Sequence, residues 1–489
     1  MNRDKVQKRN LIFFPLGCIG RDMVYALITN FLLTFILFTR ELNASQLTAI
    51  TAIMIGARVF DALNDPIMGN IIERTRSKYG KFKPWLLIGI LLTSIVVYLA
   101  FNTNLEGWSF VIFFLFIYLF YSIAYTMHDI AYWGMIPALS KDGNARNQFT
   151  SRATLFAGIG GTLTAILVPI LTTGSFAIGG NTRTAYGTIA LIIALLAPAF
   201  LLFTILFVKE SRSDMTKKAP KVSFKKIISV IKGNDQLLWC SLFLLIQQIG
   251  SNIILSGVGS TYIYFEFGYN GGLYSIFTTV GMSATAFLML FYPAISRHIG
   301  RKSLIKIMLL LATTGYAIML LSGLILPSSM VKFTFIVVGY MLSNFGQYGI
   351  YLIAMISILN TVEYNEYLTG NRDEGIIASL RPFITKLASA ITVLIATGSY
   401  MIFGIINFTN SISFYENENA RNLISEGEKL TLISDLLKSA TSGEANALLL
   451  VMTLLPCTLM LIAAFIYLKR YKIDEEYYEM LCIKIETKG

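Results

Sequence analysis

Charge is scarce in this chain. Only 14% of its 489 residues are Asp, Glu, Lys or Arg, against about a quarter in soluble domains. With 55% hydrophobic residues, that scarcity excludes an ordinary soluble fold and points to a membrane protein. Cysteine is sparse too. Cys18, Cys240, Cys457 and Cys482 are scattered, without the paired spacing of a metal or redox site, and three of them lie in or beside apolar runs as packing residues. Only two histidines are present. Neither a metal cluster, a nucleotide-binding loop nor a nucleophile–base set is legible, so no enzyme and no cofactor are expected. Met1 to Asn10 is polar and basic and lacks the short apolar core and small-residue cleavage site of a signal peptide, so the first helix is expected to be retained. A net charge of +12 would suggest nucleic acid in a soluble protein. Here the basic residues sit in short loops between apolar runs, which is the pattern of a cytoplasmic membrane face, and no nucleic-acid partner is expected.

What the chain does have is about twelve apolar segments long enough to cross a bilayer. They fall near 11–38, 46–72, 84–102, 108–138, 149–173, 185–208, 236–265, 271–296, 303–326, 331–359, 375–406 and 445–469. Lys and Arg collect at the N-terminus, in 73–83, 209–226 and 297–306, and in the 469–472 tail, while 103–107, 174–184 and 327–330 are nearly free of them. A multi-pass protein of the cell membrane with both termini cytoplasmic follows. A polar stretch at 209–235, with Lys217-Lys218-Ala219-Pro220-Lys221, divides the spans six and six. The expected domains are 1–208, a cytoplasmic linker 209–235, and 236–489 with a long polar outer loop at 407–444, in which 420–439 suits a surface helix, and a cytoplasmic tail. An all-α fold of two six-helix bundles resembles the major facilitator architecture, whose site lies between the halves near the midplane. The run Arg297-His298-Ile299-Gly300-Arg301-Lys302 echoes the 73–83 loop one half later.

Charged residues inside spans cost at least a few kcal/mol and mark function by default. On the second span, Arg58, Asp61, Asn64 and Asp65 fall at helical spacing, with Asp61 and Asp65 on one face. Two carboxylates one turn apart favour a bound cation or a shared proton; a static pair with Arg58 is the alternative for either one. On the first span, Asp22, Tyr25 and Thr29 line one face. Asp22 suits sugar hydroxyls, since a carboxylate accepts two strong hydrogen bonds, or else a salt bridge with Arg21 or Arg152. On the fourth span, Tyr125, Asp129, Tyr132 and Trp133 share a face flanked by Thr126 and His128. An aromatic plane beside a carboxylate suits a sugar ring, and His128 is either a proton carrier or a core residue. Arg381 and Lys386 lie in the eleventh span; Lys386 is read as the charge opposite Asp61 or Asp65, and Arg381 as structural. Gln248, Asn252, Asn344 and Gln347 read as helix glue. Gly69, Glu73, Arg74, Gly80 and Lys81 belong to a basic, glycine-punctuated loop read as a cytoplasmic gate.

The run from Asp65-Pro66 through Gly69, Glu73-Arg74-Thr75 and Ser77-Lys78-Tyr79-Gly80-Lys81-Phe82-Lys83-Pro84-Trp85 resembles the signature of the glycoside–pentoside–hexuronide:cation symporters, the melibiose permease family. The likeness extends over nearly the whole chain. It includes Tyr125-Thr126 with Asp129-Ile130 and Trp133, Asn234-Asp235-Gln236-Leu237, and Glu363-Tyr364 with Glu366 and Gly370-Asn371-Arg372. The resemblance implies a cation site at Asp61, Asn64, Asp65 and Thr126, a sugar site at Asp22, Asp129, Trp133 and Arg152, and Lys386 close to the cation. Thr29 stands where the family has a tyrosine, Arg21 for a lysine and Ser122 for a glycine, and the 407–444 loop is longer. These departures leave the sugar open. The expected function is symport of a glycoside, pentoside or hexuronide with Na+ or H+, with Li+ a further candidate ion. The partners are thus a small sugar, a monovalent cation and the lipid bilayer, and a monomer suffices. An uncoupled facilitator, a lipid or sulfonated-sugar carrier on the same fold, and a sugar sensor that does not transport are the alternatives.

Overall fold

The computed structural model describes residues 3–140, 143–210, 224–371, 373–440 and 442–487; the Lys217–Lys221 run and Arg372 lie outside them. Every regular element among these residues is a helix. The order is α1 (Arg3–Ala26), a π-helical turn (Leu27–Phe31), α2 (Leu32–Thr39), α3 (Ala44–Arg74), α4 (Lys83–Phe101), α5 (Gly107–Leu139), α6 (Gly143–Thr172), α7 (Thr182–Phe207), α8 (Phe224–Gly233), α9 (Asp235–Asn252), α10 (Val258–Phe267), α11 (Gly271–His298), α12 (Arg301–Ile325), α13 (Met330–Thr369), α14 (Glu374–Ile402), α15 (Ile405–Ala420), α16 (Glu426–Ser439), α17 (Ser442–Arg470) and α18 (Glu475–Glu486). Among the described residues nine helical stretches are long and apolar enough to span a membrane, and α3 makes a tenth if its two halves, bent by 40° between Asp61 and Asn64, count as one. Pro66 accounts for a bend there, because its ring removes the hydrogen bond to the carbonyl of residue 62 and crowds it.

The two remaining expected segments are helical as well. The 28-residue α11 is continuous. The run expected as unbroken over 236–265 is instead split: α9 ends at Asn252, a short turn covers Ile254–Ser256, Gly257 is left-handed with φ 103°, and α10 starts at Val258. The expected loop 407–444 is corrected more strongly, for it holds two helices. The expected surface helix starts at Glu426 rather than Ala420, and Ala420 closes the separate helix α15, on which Asn407 lies.

The chain forms two compact units. One comprises Met1–Ala219 with Gly268–Ser275 and Tyr400–Ala440; the other comprises Pro220–Phe267, Ile276–Ser399 and Thr441–Gly489. The expected boundaries put both inserted segments in the second half. Helix ends explain why the 400–440 segment packs with the first. The last carbonyls of α2 have no intrahelical partner, and α15 supplies donors: Ser413 to the carbonyls of Leu37 and Arg40, and Asn417 to that of Thr39. Asn410 pairs with both the N–H and the carbonyl of Leu42, at 2.9 and 2.8 Å. At the start of α7, where backbone N–H groups favour an anion, Glu416 accepts from Thr182 N at 2.7 Å. Lys429 of α16 reaches Glu416 at 3.3 Å, and both side chains are 0% exposed.

Within the first unit α1 is pressed between α6 and α7. A Cβ at Gly160 would lie 2.2 Å from the Ile19 carbonyl oxygen, so only glycine permits that helix contact, as small residues do in membranes generally. In the second unit Leu237, Phe243, Ile353, Ile358, Met460 and Tyr467 form part of a buried apolar core. Asn234 of the Asn-Asp-Gln-Leu run caps α9, accepting from Leu237 N and donating to the Thr361 carbonyl. Glu475 of α18 binds Arg301 through both its backbone N–H and its Nε at the start of α12. The polar residues read as helix glue bond to other helices in part: Gln347 donates to the Tyr316 hydroxyl and Asn344 to the Gly281 carbonyl, while Asn252 turns back to Gln248 within α9.

Candidate functional site

Arg21 is the hub of the first cluster. It is buried on α1, and its Nε and Nη2 both donate to one oxygen of Asp22, at 3.0 and 2.7 Å. Its Nη1 donates to Asp129 of α5 at 3.0 Å. The guanidinium also lies over two rings, 5.0 Å from Tyr132 and 4.9 Å from Trp133, an attraction to the negative ring face. One cation thus holds two carboxylates and two aromatic rings in register. Asp129 keeps 34% of its side chain exposed and Asp22 19%, so both retain oxygen surface. Tyr25 stands beside them, its ring 5.8 Å from that of Tyr125. Thr29 falls in the π-helical turn, a feature frequent at functional sites, and its buried hydroxyl has no hydrogen-bond partner.

The second cluster lies where α3 meets the same helix α5. Ser122 donates to Asp61, and Thr126 donates to Asp65 at 3.1 Å. Both pairs step by four residues, so a ladder of two hydroxyls faces a ladder of two carboxylates. Arg58 is 3.8 Å from Asp61, too far for a tight ion pair. Asn64 is half-buried on the same helix. The donor set is oxygen-rich and anionic, which suits a hard monovalent cation rather than a soft metal. Among the described residues no three His, Cys, Asp or Glu side chains gather as a metal centre. Ser122, Thr126, Asp129 and Trp133 recur at spacings of four, three and four along α5, so one helical face carries both clusters.

The glycine-punctuated loop is organised around a residue that the sequence reading passed over, Glu210. Its carboxylate accepts from the backbone N–H groups of Lys81 at 3.0 Å and Lys83 at 3.3 Å. Burial pushes the Glu210 carboxyl above its usual range, against the pull of those backbone donors. Gly80 has φ 110°, and a Cβ there would sit 2.5 Å from the Glu210 carboxylate. Glu73 and Lys81 pair at 2.9 Å, and Trp85 donates to Thr75 at 2.7 Å. Arg74 is exposed and Gly69 half-buried, with open space beside Gly69.

Arg152 lies apart from both clusters. Arg152 is exposed and donates to the Leu11 carbonyl at 3.2 Å; Leu11 precedes Asp22 by eleven residues, about 16 Å of helix rise. Arg381 and Lys386 belong to α14 in the second unit, where Arg381 donates to the Tyr351 hydroxyl at 2.8 Å. His128 is fully buried with neither ring nitrogen hydrogen-bonded. Three residues carry more of the geometry than the sequence assigned them: Arg21, Ser122 and Glu210. For Arg21 the signal was present, since a second buried charge adjoined Asp22. For Ser122 it was the i, i+4 match to Thr126. Glu210 sits at the end of an apolar run and offers no such signal.

The helical architecture is that of the major facilitator fold. It aligns with a crystal structure of a bacterial homologue of the human lysosomal transporter Spinster, at TM-score 0.62 and 13% identity, covering 99% of this chain and 98% of that one. The chain belongs to the MFS/sugar transport protein family, whose model matches residues 13–475. It is 28% identical to a lactose permease of Leuconostoc lactis over 403 residues, 78% of this chain and 60% of that protein. It is 29% identical to a raffinose carrier protein of Pediococcus pentosaceus, again over 78% of this chain and 60% of the relative. The chain therefore spans about three fifths of the length of these relatives.

Proposed function

We propose that this protein is a secondary active transporter of the cell membrane that couples inward flow of a monovalent cation, Na+ or H+, to uptake of a sugar by alternating access. The observation that carries the reading is the shared face of α5. It brings hydroxyls to the Asp61–Asp65 ladder at Ser122 and Thr126, and it brings Asp129 and Trp133 to Arg21 seven residues on. A cation between Asp61 and Asp65 neutralises the repulsion of two like charges and draws α3 against α5. Fixing α5 fixes Asp129 and Trp133 relative to Arg21 and Asp22 on α1. The sugar then donates hydroxyls to carboxylates whose orientation Arg21 already sets, and its apolar C–H face lies on an aromatic ring. Binding of one ligand lowers the ordering cost of the other, which is coupling in its thermodynamic sense. The basic 73–83 loop, with both termini on its side of the membrane, serves as the cytoplasmic gate.

The relatives' names, a lactose permease and a raffinose carrier, make galactose-containing oligosaccharides the first substrates to test. Uptake into proteoliposomes is measured with an imposed Na+ gradient, with a proton gradient and with neither. Concentrative uptake under one gradient supports symport and names the ion. Uptake that only equilibrates under every gradient supports a facilitator instead. Bound sugar that never crosses supports a sensor.

A further inference from the structure

A pocket in the first unit, remote in sequence from both clusters, points to a ligand of a different kind. It lies where the C-terminus of α4, the N-terminus of α7 and the C-terminus of α15 converge, the end of the bundle to which the 73–83 loop does not belong. Its cavity volume is about 460 Å³, and its polar lining includes Asn102, Asn104, Arg183, Thr184, Thr188 and Arg421. Among the described residues no carboxylate lines it. Arg183 forms a rigid wall, donating to Glu106, Asn417, the Thr103 carbonyl and Asn104 at 3.0 to 3.3 Å. Behind it the buried Arg40 binds the same Glu106 oxygen at 3.0 Å. The charged groups of the lining are Arg183 and Arg421; Glu106 pairs with Arg40 and Arg183 behind it, and Glu41 and Glu418 are nearby acidic groups outside the lining.

The helix faces that run from this pocket are apolar. On α7, Thr184 and Thr188 continue at helical spacing into exposed Leu191 and Leu195, and on α4, Asn102 continues into exposed Leu99 and Ile95. A polar pocket with two arginines in its lining, over two adjoining apolar stripes, has the shape of one amphiphile. We propose that this pocket seats the phosphate of a membrane phospholipid, with Arg421 and the Arg183 Nε edge as donors and the acyl chains along α4 and α7.

The test uses the full-length protein reconstituted in phosphatidylglycerol or phosphatidylethanolamine vesicles, extracted in detergent, and assayed by mass spectrometry for lipid retained per protein. Arg421→Ala is expected to lower retained phospholipid about fivefold, the effect of one surface arginine on an anionic headgroup. Thr188→Leu, which fills the pocket without altering charge, is expected to lower it comparably. Retention equal to wild type in both pocket variants would overturn the proposal. Inorganic phosphate raising the thermal midpoint of delipidated protein as much as phospholipid does would overturn it too, since the pocket would then serve a soluble anion.

Discussion

Two buried charge clusters in the same unit behave in opposite ways. Glu416 and Lys429 are both 0% exposed, and they bond to fixed parts of the fold: the N–H of Thr182, the carbonyl of Gly180, and each other. The Arg21 cluster divides one guanidinium between two carboxylates, keeps Asp129 one-third exposed, and has the unpartnered hydroxyl of Thr29 nearby on the same helical run. The first arrangement is sealed from solvent, including a Glu416 oxygen that has no hydrogen-bond partner, and it fastens a helical hairpin. The second keeps hydrogen-bonding capacity within reach of solvent. Burial of charge alone therefore does not mark a candidate binding site; hydrogen-bonding capacity kept near solvent does.

The comparison can be broken by experiment. Lys429→Met removes one member of the self-contained pair and leaves Glu416 buried. It is expected to cost about 3–5 kcal/mol of stability, read as a lower thermal midpoint, while sugar affinity per folded molecule stays unchanged; the double change Lys429→Met with Glu416→Leu should recover most of it. Loss of sugar binding at unchanged stability would reverse the assignment. Asp65→Cys is expected to abolish gradient-driven accumulation, which for one cation per sugar at 100 mV amounts to about fifty-fold, from roughly 2.3 kcal/mol per charge. Surviving concentrative uptake in vesicles would remove Asp65 from the cation site. Asp129→Asn is expected to weaken sugar binding about tenfold or more, the scale of a charged hydrogen bond, by titration calorimetry, with a smaller change in thermal midpoint than Lys429→Met. Thr29→Val is the mildest: about fivefold weaker sugar affinity if the hydroxyl serves the ligand, and no loss if it does not.

Much of the fold was legible because hydrophobic length is a strong signal. The segments expected at 84–102 and 108–138 are α4 at Lys83–Phe101 and α5 at Gly107–Leu139. Where residues are polar, the signal fails. α15, with Asn407, Asn410, Ser411, Ser413, Asn417 and Asn419, reads as loop because its polar side chains serve the ends of other helices. The break after α9 hid inside a run whose composition alone suits a single span. α13 continues to Thr369, ten residues past the expected end, since its last turns leave the apolar pattern but meet no stop signal before Gly370, which is left-handed with φ 72°. The site was legible as residues but not as a network. Spacing put Asp61 with Asp65 and Asp129 with Trp133, because both are local to one helix. That Arg21 joins Asp22 to Asp129, 108 positions on, depends on how α1 packs against α5, which periodicity does not encode.

The cradle around Glu210 has a consequence for mutational tolerance. Its grip is on backbone amides, so the identities of residues 81 and 83 do not determine whether it forms. Position 80 does, because its φ of 110° strains any L side chain and a Cβ there would push the Glu210 carboxylate aside. A saturation scan of the loop should therefore find a sharp step: position 80 closed to every replacement, position 83 open to many, and position 210 intolerant even of glutamine, which presents one acceptor oxygen where two are used.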